Sequence, residues 1–161
     1  MLDSSMNEGC ADDSRGGRER LGPMSLDTLN RLRELHHSGC LACTNPRFRL
    51  QFECEQEELV ARFQPEPELC SYENVLHGGV IGLLFDEAMT CLLMAHGVVG
   101  MTGELILRYR EPVDVDDPIE IRSRVTRPFA PLYHIESSLL QSGVTKAKAR
   151  ARFVRREEAN R

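Results

Sequence analysis

The sequence has 161 residues, the size of one domain, and a core of that size allows one site, or one site per subunit. Its 20 lysine and arginine residues stand against 25 aspartate and glutamate residues. The formal charge of −5 argues against a nucleic-acid binder, whose affinity comes from neutralising phosphates.

The first residues contain no apolar run that could serve as the core of a signal peptide. We therefore predict a disordered leader over residues 1–22, a single domain over residues 23–156 and a short tail over residues 157–161. The protein is expected to be cytoplasmic, with most of its six cysteines as free thiols.

A short amphipathic helix is predicted between Ser25 and His37. Ser25 is a suitable N-cap and Gly39 a suitable stop. The residues that recur at helical spacing are Leu26, Leu29, Leu32 and Leu35. This helix is expected to pack on the edge of the domain.

The segment "HHSGCLAC" places four ligand-type residues at spacings that a zinc ion could use, namely His36, His37, Cys40 and Cys43. A second ligand pair is missing from the sequence, although Cys54 or Cys70 could supply one in space. The alternative is a loop with buried thiols. We adopt that alternative and predict neither a metal nor an organic cofactor.

After this segment the hydrophobic period changes to two, which is typical of strands. The alternating residues are Phe48, Leu50, Phe52 and Cys54, followed by Leu59, Ala61 and Phe63. The pattern predicts a hairpin. Residues 64–74, rich in proline and glutamate, predict a loop.

The segment "LHGGVIGLLFDEAMTCLLMAHG" predicts a buried helix. Its apolar part, from Val80 to Ala95, carries two carboxylates at its centre and is shorter than the about 20 residues that cross a bilayer. We therefore predict no membrane span. Because the helix is apolar on nearly all sides, other structure must surround it.

His77, Gly78 and Gly79 stand at the predicted start of this helix. First-turn N–H groups have no partner within the helix and lie at the positive end of its dipole. The Gly78 N–H could therefore polarise a carbonyl, with Gly79 permitting close approach. The alternative is that the glycines only form a tight turn.

Asp86 and Glu87 point about 100° apart on a helix, so only one of them should face a site. A carboxylate among apolar residues can serve as general base or nucleophile, or it can be a paired structural residue. Gly78 and Asp86 are eight residues, or about 12 Å, apart along the helix. If they cooperate, two antiparallel helices must lie side by side, which predicts a homodimer with two equivalent sites.

After Gly97, alternation returns in four segments separated by breaks too short for crossover helices. These segments predict antiparallel strands in a meander or near-meander, and an α+β fold. His134 is expected to face solvent, and His96 to be favoured by the dipole at the helix C-terminus. The alternating residues are Leu105, Leu107 and Tyr109; Ile119, Ile121 and Val125; Tyr133, Ile135 and Leu139; and Ala147, Ala149, Ala151 and Phe153.

Two motifs carry a resemblance to a known family. "HGGVIGLLFDEA" has its acid nine residues after the histidine, and "MTGELILRYREPV" opens with a threonine and ends in Arg-Glu-Pro-Val. From roughly Cys40 to Val154 the chain resembles the hot dog fold thioesterases, in particular the 4-hydroxybenzoyl-CoA and phenylacetate-pathway branch. The resemblance implies a long central helix wrapped by a five- to six-stranded antiparallel sheet, and dimers that often pair into tetramers.

The resemblance also implies roles for site residues. Asp86 matches the catalytic carboxylate, Gly78 the oxyanion donor, and His77 a residue that positions the acyl carbonyl. Thr102 resembles a hydroxyl that orients the acid or the attacking water, and Glu87 is assigned a structural role.

The sequence departs from the family at one position. Where some relatives place a water-orienting asparagine or glutamine six residues before the histidine, this chain has Ser71, and Asn74 is a candidate substitute. Gly79 and Asn74 are therefore predicted to contribute to substrate binding.

The predicted function is hydrolysis of an acyl-CoA thioester. The alternatives are a non-catalytic acyl-CoA sensor or interaction module on the same fold and, ranked last, a hydratase or dehydratase. A basic strand face could be a solvated surface or could partly attract a phosphorylated ligand such as coenzyme A. Its residues are Lys146, Lys148, Arg150 and Arg152.

Overall fold

The structure, a computed structural model, describes residues 20–156. The predicted tail and all but the last three residues of the predicted leader lie outside this range. The Leu21 N–H donates to the Pro128 carbonyl at 3.1 Å, and Arg20 forms an isolated antiparallel bridge with Phe129. The chain therefore packs against the domain from residue 20, three residues before the predicted start of the domain.

The described residues form three helices, α1 (Leu26–His36), α2 (Leu41–Thr44) and α3 (Gly78–Ala95). Single 3₁₀ turns span Pro46–Phe48 and Pro67–Leu69. The strands are β1 (Gln51–Glu55), β2 (Glu58–Phe63), β3 (Cys70–Tyr72), β4 (Val75–Leu76), β5 (Gly100–Tyr109), β6 (Ile119–Arg127), β7 (Leu132–Gln141) and β8 (Val144–Arg155).

The first helix is the one predicted from its leucines. The Ser25 hydroxyl caps it by accepting from the Thr28 N–H at 3.4 Å, and Leu29 is fully buried. The helix ends at His36, and the His37 N–H bonds back to the Arg33 carbonyl, so the chain leaves the helix before it reaches Gly39.

Two predicted boundaries are wrong. Phe48 belongs to a 3₁₀ turn rather than to β1, because Pro46 starts the turn and the Asn45 side chain accepts from the Arg47 N–H at 3.0 Å. The predicted loop 64–74 contains a second proline-led turn and the short strand β3, which pairs with β4. At both places local hydrogen bonds, rather than the alternation of apolar residues, determine the backbone conformation.

Six strands form one antiparallel sheet in the order β1-β2-β6-β7-β8-β5, and the other two described strands, β3 and β4, pair with each other. Strands β6, β7 and β8, which are consecutive in the chain, form the predicted meander. Strand β5 lies at the edge of the sheet, beside β8. Three strand spacings, about 14 Å, separate β5 from β6. Residues 110–118 can span that distance without a helix.

Helix α3 packs against the sheet and forms the core of the domain. From Leu84 to Ala95 every residue except Asp86 is buried, and the fully buried Phe153 and Tyr133 belong to the same core. The predicted long helix wrapped by an antiparallel sheet is confirmed. Among the described helices, α3 is the one whose length and composition would suffice to cross a membrane, and 67% of that segment is buried inside the domain.

Candidate active site

The start of α3 is held by the side chain of the residue that precedes it. His77 is the N-cap, and its Nδ1 accepts from the Gly79 N–H at 2.8 Å. The imidazole therefore satisfies one of the free first-turn donors. Within residues 20–156 the neighbouring Gly78 N–H has no hydrogen-bond acceptor, so it is the donor available to a ligand.

Tyr109 is hydrogen-bonded to the first turn of α3, a contact that the sequence did not predict. Its hydroxyl donates to the Gly78 carbonyl at 2.8 Å, although the residues are 31 positions apart. Tyr109 ends β5 and is 51% exposed. Its place in the "YREPV" motif was the available signal, but only the fold shows which backbone group it contacts.

The structure brings Thr102 and Asp86 together. Thr102 lies on β5, and its hydroxyl donates to Oδ1 of Asp86 at 2.6 Å. Asp86 is partly exposed in the middle of an otherwise buried segment. Because a carboxylate has about four acceptor sites, this bond orients Asp86 and leaves capacity for a water molecule.

One face of α3 is open over its first half. Gly79, Gly82, Leu83 and Asp86 are partly or fully exposed and recur at helical spacing, so they form one stripe. Strand β5 borders the stripe and leaves Met101 and Ile106 64% and 49% exposed. The stripe joins the helix start to Asp86, which stand about 12 Å apart along the axis.

Glu87 points away from this stripe and is only 5% exposed. It accepts from the thiols of Cys43 at 2.9 Å, Cys91 at 3.3 Å and Cys40 at 3.6 Å. Burial, and next the bond to Glu87, raise the pKa of Cys43 to about 12, and burial raises the pKa of Cys91 well above its usual range. The two adjacent acids thus occupy separate environments.

The four predicted zinc-type residues do not all meet. His37, Cys40 and Cys43 lie together with Glu87, whereas His36 is outside this group. Neither Cys54 nor Cys70 joins it. The five described cysteines, which include Cys91, are free thiols.

The remaining candidates lie apart from these contacts. Asn74 occupies a tight turn with a φ of 58°, and its carbonyl accepts from the Val115 N–H at 3.2 Å. His96 caps the C-terminus of α3, as predicted, and its Nδ1 lies 2.7 Å from the Gly22 carbonyl. His134 does not simply face solvent, because its Nε2 is buried and unpaired among the described residues. Ser71 is exposed on β3, and its effect and that of Asn74 on binding stay predictions.

The outer face of the sheet carries a shallow basic depression of about 600 Å³. Within the predicted basic strand, Lys146 pairs with Glu111 and Arg152 with Glu104. Of the basic side chains that line the depression, Arg122 and Arg124 pair with glutamates that also line it. The other four form no ion pair in the described part of the chain: Arg108, Arg110, Lys148 and Arg150.

Sequence comparison finds a family model that matches the central segment. Residues 73–128 match the family model of the Thioesterase superfamily, and this range contains the start of α3, Asp86, Thr102 and Tyr109. No curated protein matches the chain.

Solved structures share the fold at low sequence identity. A hypothetical thioesterase of Streptococcus pneumoniae TIGR4 with coenzyme A is 16% identical, with a TM-score of 0.62 over 66% of this chain and 88% of that chain. A Streptococcus mutans UA159 protein bound to acetyl CoA is 15% identical, with a TM-score of 0.63 over 67% and 89%. The Escherichia coli PaaI protein of the phenylacetic acid degradation operon is 15% identical, with a TM-score of 0.62 over 66% and 82%.

The class defined by fold and site follows from these findings. The chain has the hot dog fold, and residues 73–128 match the model of the thioesterase superfamily. The resemblance inferred from the two motifs is therefore confirmed.

Proposed function

We propose that the protein is an acyl-CoA thioesterase that uses Asp86 as its reactive carboxylate. The observation that carries the proposal is the 2.6 Å hydrogen bond from Thr102 to Asp86 on the open face of α3. It holds a carboxylate at the surface of an apolar helix, where a substrate can reach it. The neighbouring Glu87, in contrast, is buried and bonded to thiols, out of reach of a substrate on this face.

Structural neighbours support both the ligand and the residue pair. Two of them were solved with coenzyme A or acetyl CoA. Two further structures of the Streptococcus pneumoniae protein carry an alanine in place of an aspartate or a threonine, and those positions are 16 residues apart. Asp86 and Thr102 have the same separation of 16.

The proposed chemistry needs an acceptor for a proton and a donor for a developing oxyanion. Asp86 takes a proton from the attacking water, or attacks the carbonyl carbon itself, while the Gly78 N–H stabilises the oxyanion. The carbon–sulfur bond then breaks, and coenzyme A leaves as a thiolate. A thiolate is a good leaving group, so this step needs no added acid. Where Asp86 is the nucleophile, the acyl group stays on it as a mixed anhydride, which water hydrolyses to release the acid and restore the carboxylate.

The distance between the two groups implies a shared site. Since Gly78 and Asp86 lie about 12 Å apart on one helix, they cannot contact the same carbonyl group. The open stripe of α3, beside the edge strand β5, offers the surface for a second copy. We therefore propose an antiparallel homodimer in which each helix start serves the partner's Asp86, and a pairing of such dimers remains a prediction.

Mixing two inactive variants tests this shared site. Gly78→Pro lacks the donor, and Asp86→Asn lacks the base. After subunit exchange, half of the dimers are mixed, and each mixed dimer has one site with both groups intact. Activity should therefore recover to about a quarter of the wild-type value. A site built within one chain would show no recovery, which would overturn the shared-site arrangement.

The basic depression is the proposed contact for the phosphates of coenzyme A. Arg108 and Lys148 are direct cross-strand partners on β5 and β8, an unfavourable pairing of like charges unless an anion lies between them. Arg108 and Arg110 also flank Tyr109, which contacts the start of α3. If the nucleotide of coenzyme A binds at Arg108 and Arg110, the thioester end of the molecule can extend past Tyr109 towards the start of α3.

The variant with Arg108→Ala and Arg110→Ala is expected to raise KM for an acyl-CoA about tenfold, because two exposed charge contacts contribute up to about 1 kcal/mol each. Its kcat should change little. A thioester of the same acyl group on N-acetylcysteamine should be hydrolysed with an unchanged KM. Arg31→Ala, an exposed charge on α1, is the control. An equal loss on both substrates would contradict phosphate binding.

Release of free coenzyme A from a panel of acyl-CoAs tests the function itself. Turnover on at least one acyl group is the expected result. Binding of acyl-CoA by calorimetry without release would favour the sensor alternative, to which the exposed Ser71 points. We further propose a cytoplasmic location, which the five free thiols support.

A further inference from the structure

A second cluster of reactive side chains lies against α3 on the side of Glu87, away from the open stripe. His37 follows α1, Cys40 precedes α2, Cys43 lies within α2, and Glu87 comes from the centre of α3. One ligand atom from each residue lies within 4.8 Å of every other. We infer that these four residues form a structural zinc site.

The spacings fit a tetrahedral ion. With zinc–sulfur bonds of about 2.3 Å and zinc–nitrogen or zinc–oxygen bonds of about 2.0–2.1 Å, a sulfur and a nitrogen or oxygen ligand should stand about 3.5–3.6 Å apart. Cys43 Sγ lies 3.5 Å from His37 Nδ1, and Cys40 Sγ lies 3.6 Å from Glu87 Oε2. Two of the six ligand pairs therefore already stand at the separation that the ion would impose, while Cys43 Sγ and Glu87 Oε1, 2.9 Å apart, would have to move apart.

Burial of Glu87 supports the same conclusion. A carboxylate that is 5% exposed in the core helix needs strong compensation, and thiols are only weak hydrogen-bond donors. A divalent cation bound to two thiolates, a carboxylate and a neutral imidazole would offset two of the three negative charges of the set. One negative charge would remain on that set, and the guanidinium of Arg33, beside Cys43, is placed to balance it.

Four protein ligands fill a tetrahedral shell, which is typical of structural rather than catalytic zinc. The ion would join the segment of α1 and α2 to the central helix across 44 to 47 positions of sequence. It would also fix the rotation of α3 at Glu87, the neighbour of Asp86. The thiols release their protons when the ion binds, so the metal and the fold of this segment are coupled.

Metal content of the full chain tests the site. The protein is expressed with zinc and purified under reducing conditions without chelator. It should then contain about one zinc ion per chain, as measured by inductively coupled plasma mass spectrometry. The double variant Cys40→Ser and Cys43→Ser should lose at least about tenfold in zinc content. Cys54→Ser removes a thiol outside the cluster and should keep the full content.

Cobalt gives a readout that does not depend on the variants folding. Apo protein titrated with Co²⁺ should show intense tetrahedral d–d absorption together with thiolate-to-cobalt charge transfer. Wild-type protein that takes up neither ion, or that shows octahedral cobalt without thiolate charge transfer, would overturn the proposal. So would a Cys40→Ser and Cys43→Ser variant that retains stoichiometric zinc, or an equal loss in Cys54→Ser.

Discussion

Replacing Asp86 with asparagine is expected to lower kcat for coenzyme A release by about 10²- to 10⁴-fold, the usual contribution of a positioned base. Asparagine has nearly the same shape and can still accept the Thr102 hydrogen bond through its side-chain oxygen. It can neither take a proton from water nor attack the thioester. KM should change little, and steady-state assays with a thiol reagent measure both constants.

Asp117→Asn is the matched control, since it makes the same chemical change at an exposed loop position. It should keep wild-type activity. Circular dichroism and sedimentation of Asp86→Asn should show the wild-type fold and the same oligomeric state. Undiminished turnover in Asp86→Asn would remove this residue from the mechanism, while the thioesterase activity of the protein would stand on the coenzyme A assay.

Gly78→Pro is expected to lower kcat by about 10²- to 10³-fold, the typical loss when one oxyanion donor is removed. Proline lacks the N–H but suits the first position of a helix. The preceding residue must then be extended, and His77 already has φ −60° and ψ 130°. The substitution therefore removes the donor with little expected change in the helix, which a kinetic assay and thermal unfolding together can verify.

Gly78→Ala separates the loss of the donor from added bulk. A Cβ at Gly78 would lie 3.5 Å from the ring of Tyr109, which is ordinary van der Waals contact. Alanine keeps the N–H, so its kcat should stay within about tenfold of the wild-type value, above that of the proline variant. Equal activity in the two variants would show that this N–H does not stabilise the transition state.

The amino-acid pattern alone determined the main elements of the domain. The segment "GGVIGLLFDEAMTCLLMA" is apolar on nearly every side, so it must be buried in a core. The alternation of apolar and polar residues predicted the strands β5 to β8. The 100° offset between neighbouring helical residues also separated Asp86 from Glu87 correctly. Thr102 came from the family resemblance, because spacing along the chain does not say which helix residue a strand residue will face.

Contacts between residues far apart in the sequence were decided only by the tertiary structure. Strand β5 pairs with β8 at the edge of the sheet, and in this place its Tyr109 reaches Gly78. Glu87 meets Cys40 and Cys43 because α2 packs behind the central helix. Hydrophobic period reports which face of an element is buried, but the partner of that face depends on how all the elements pack together.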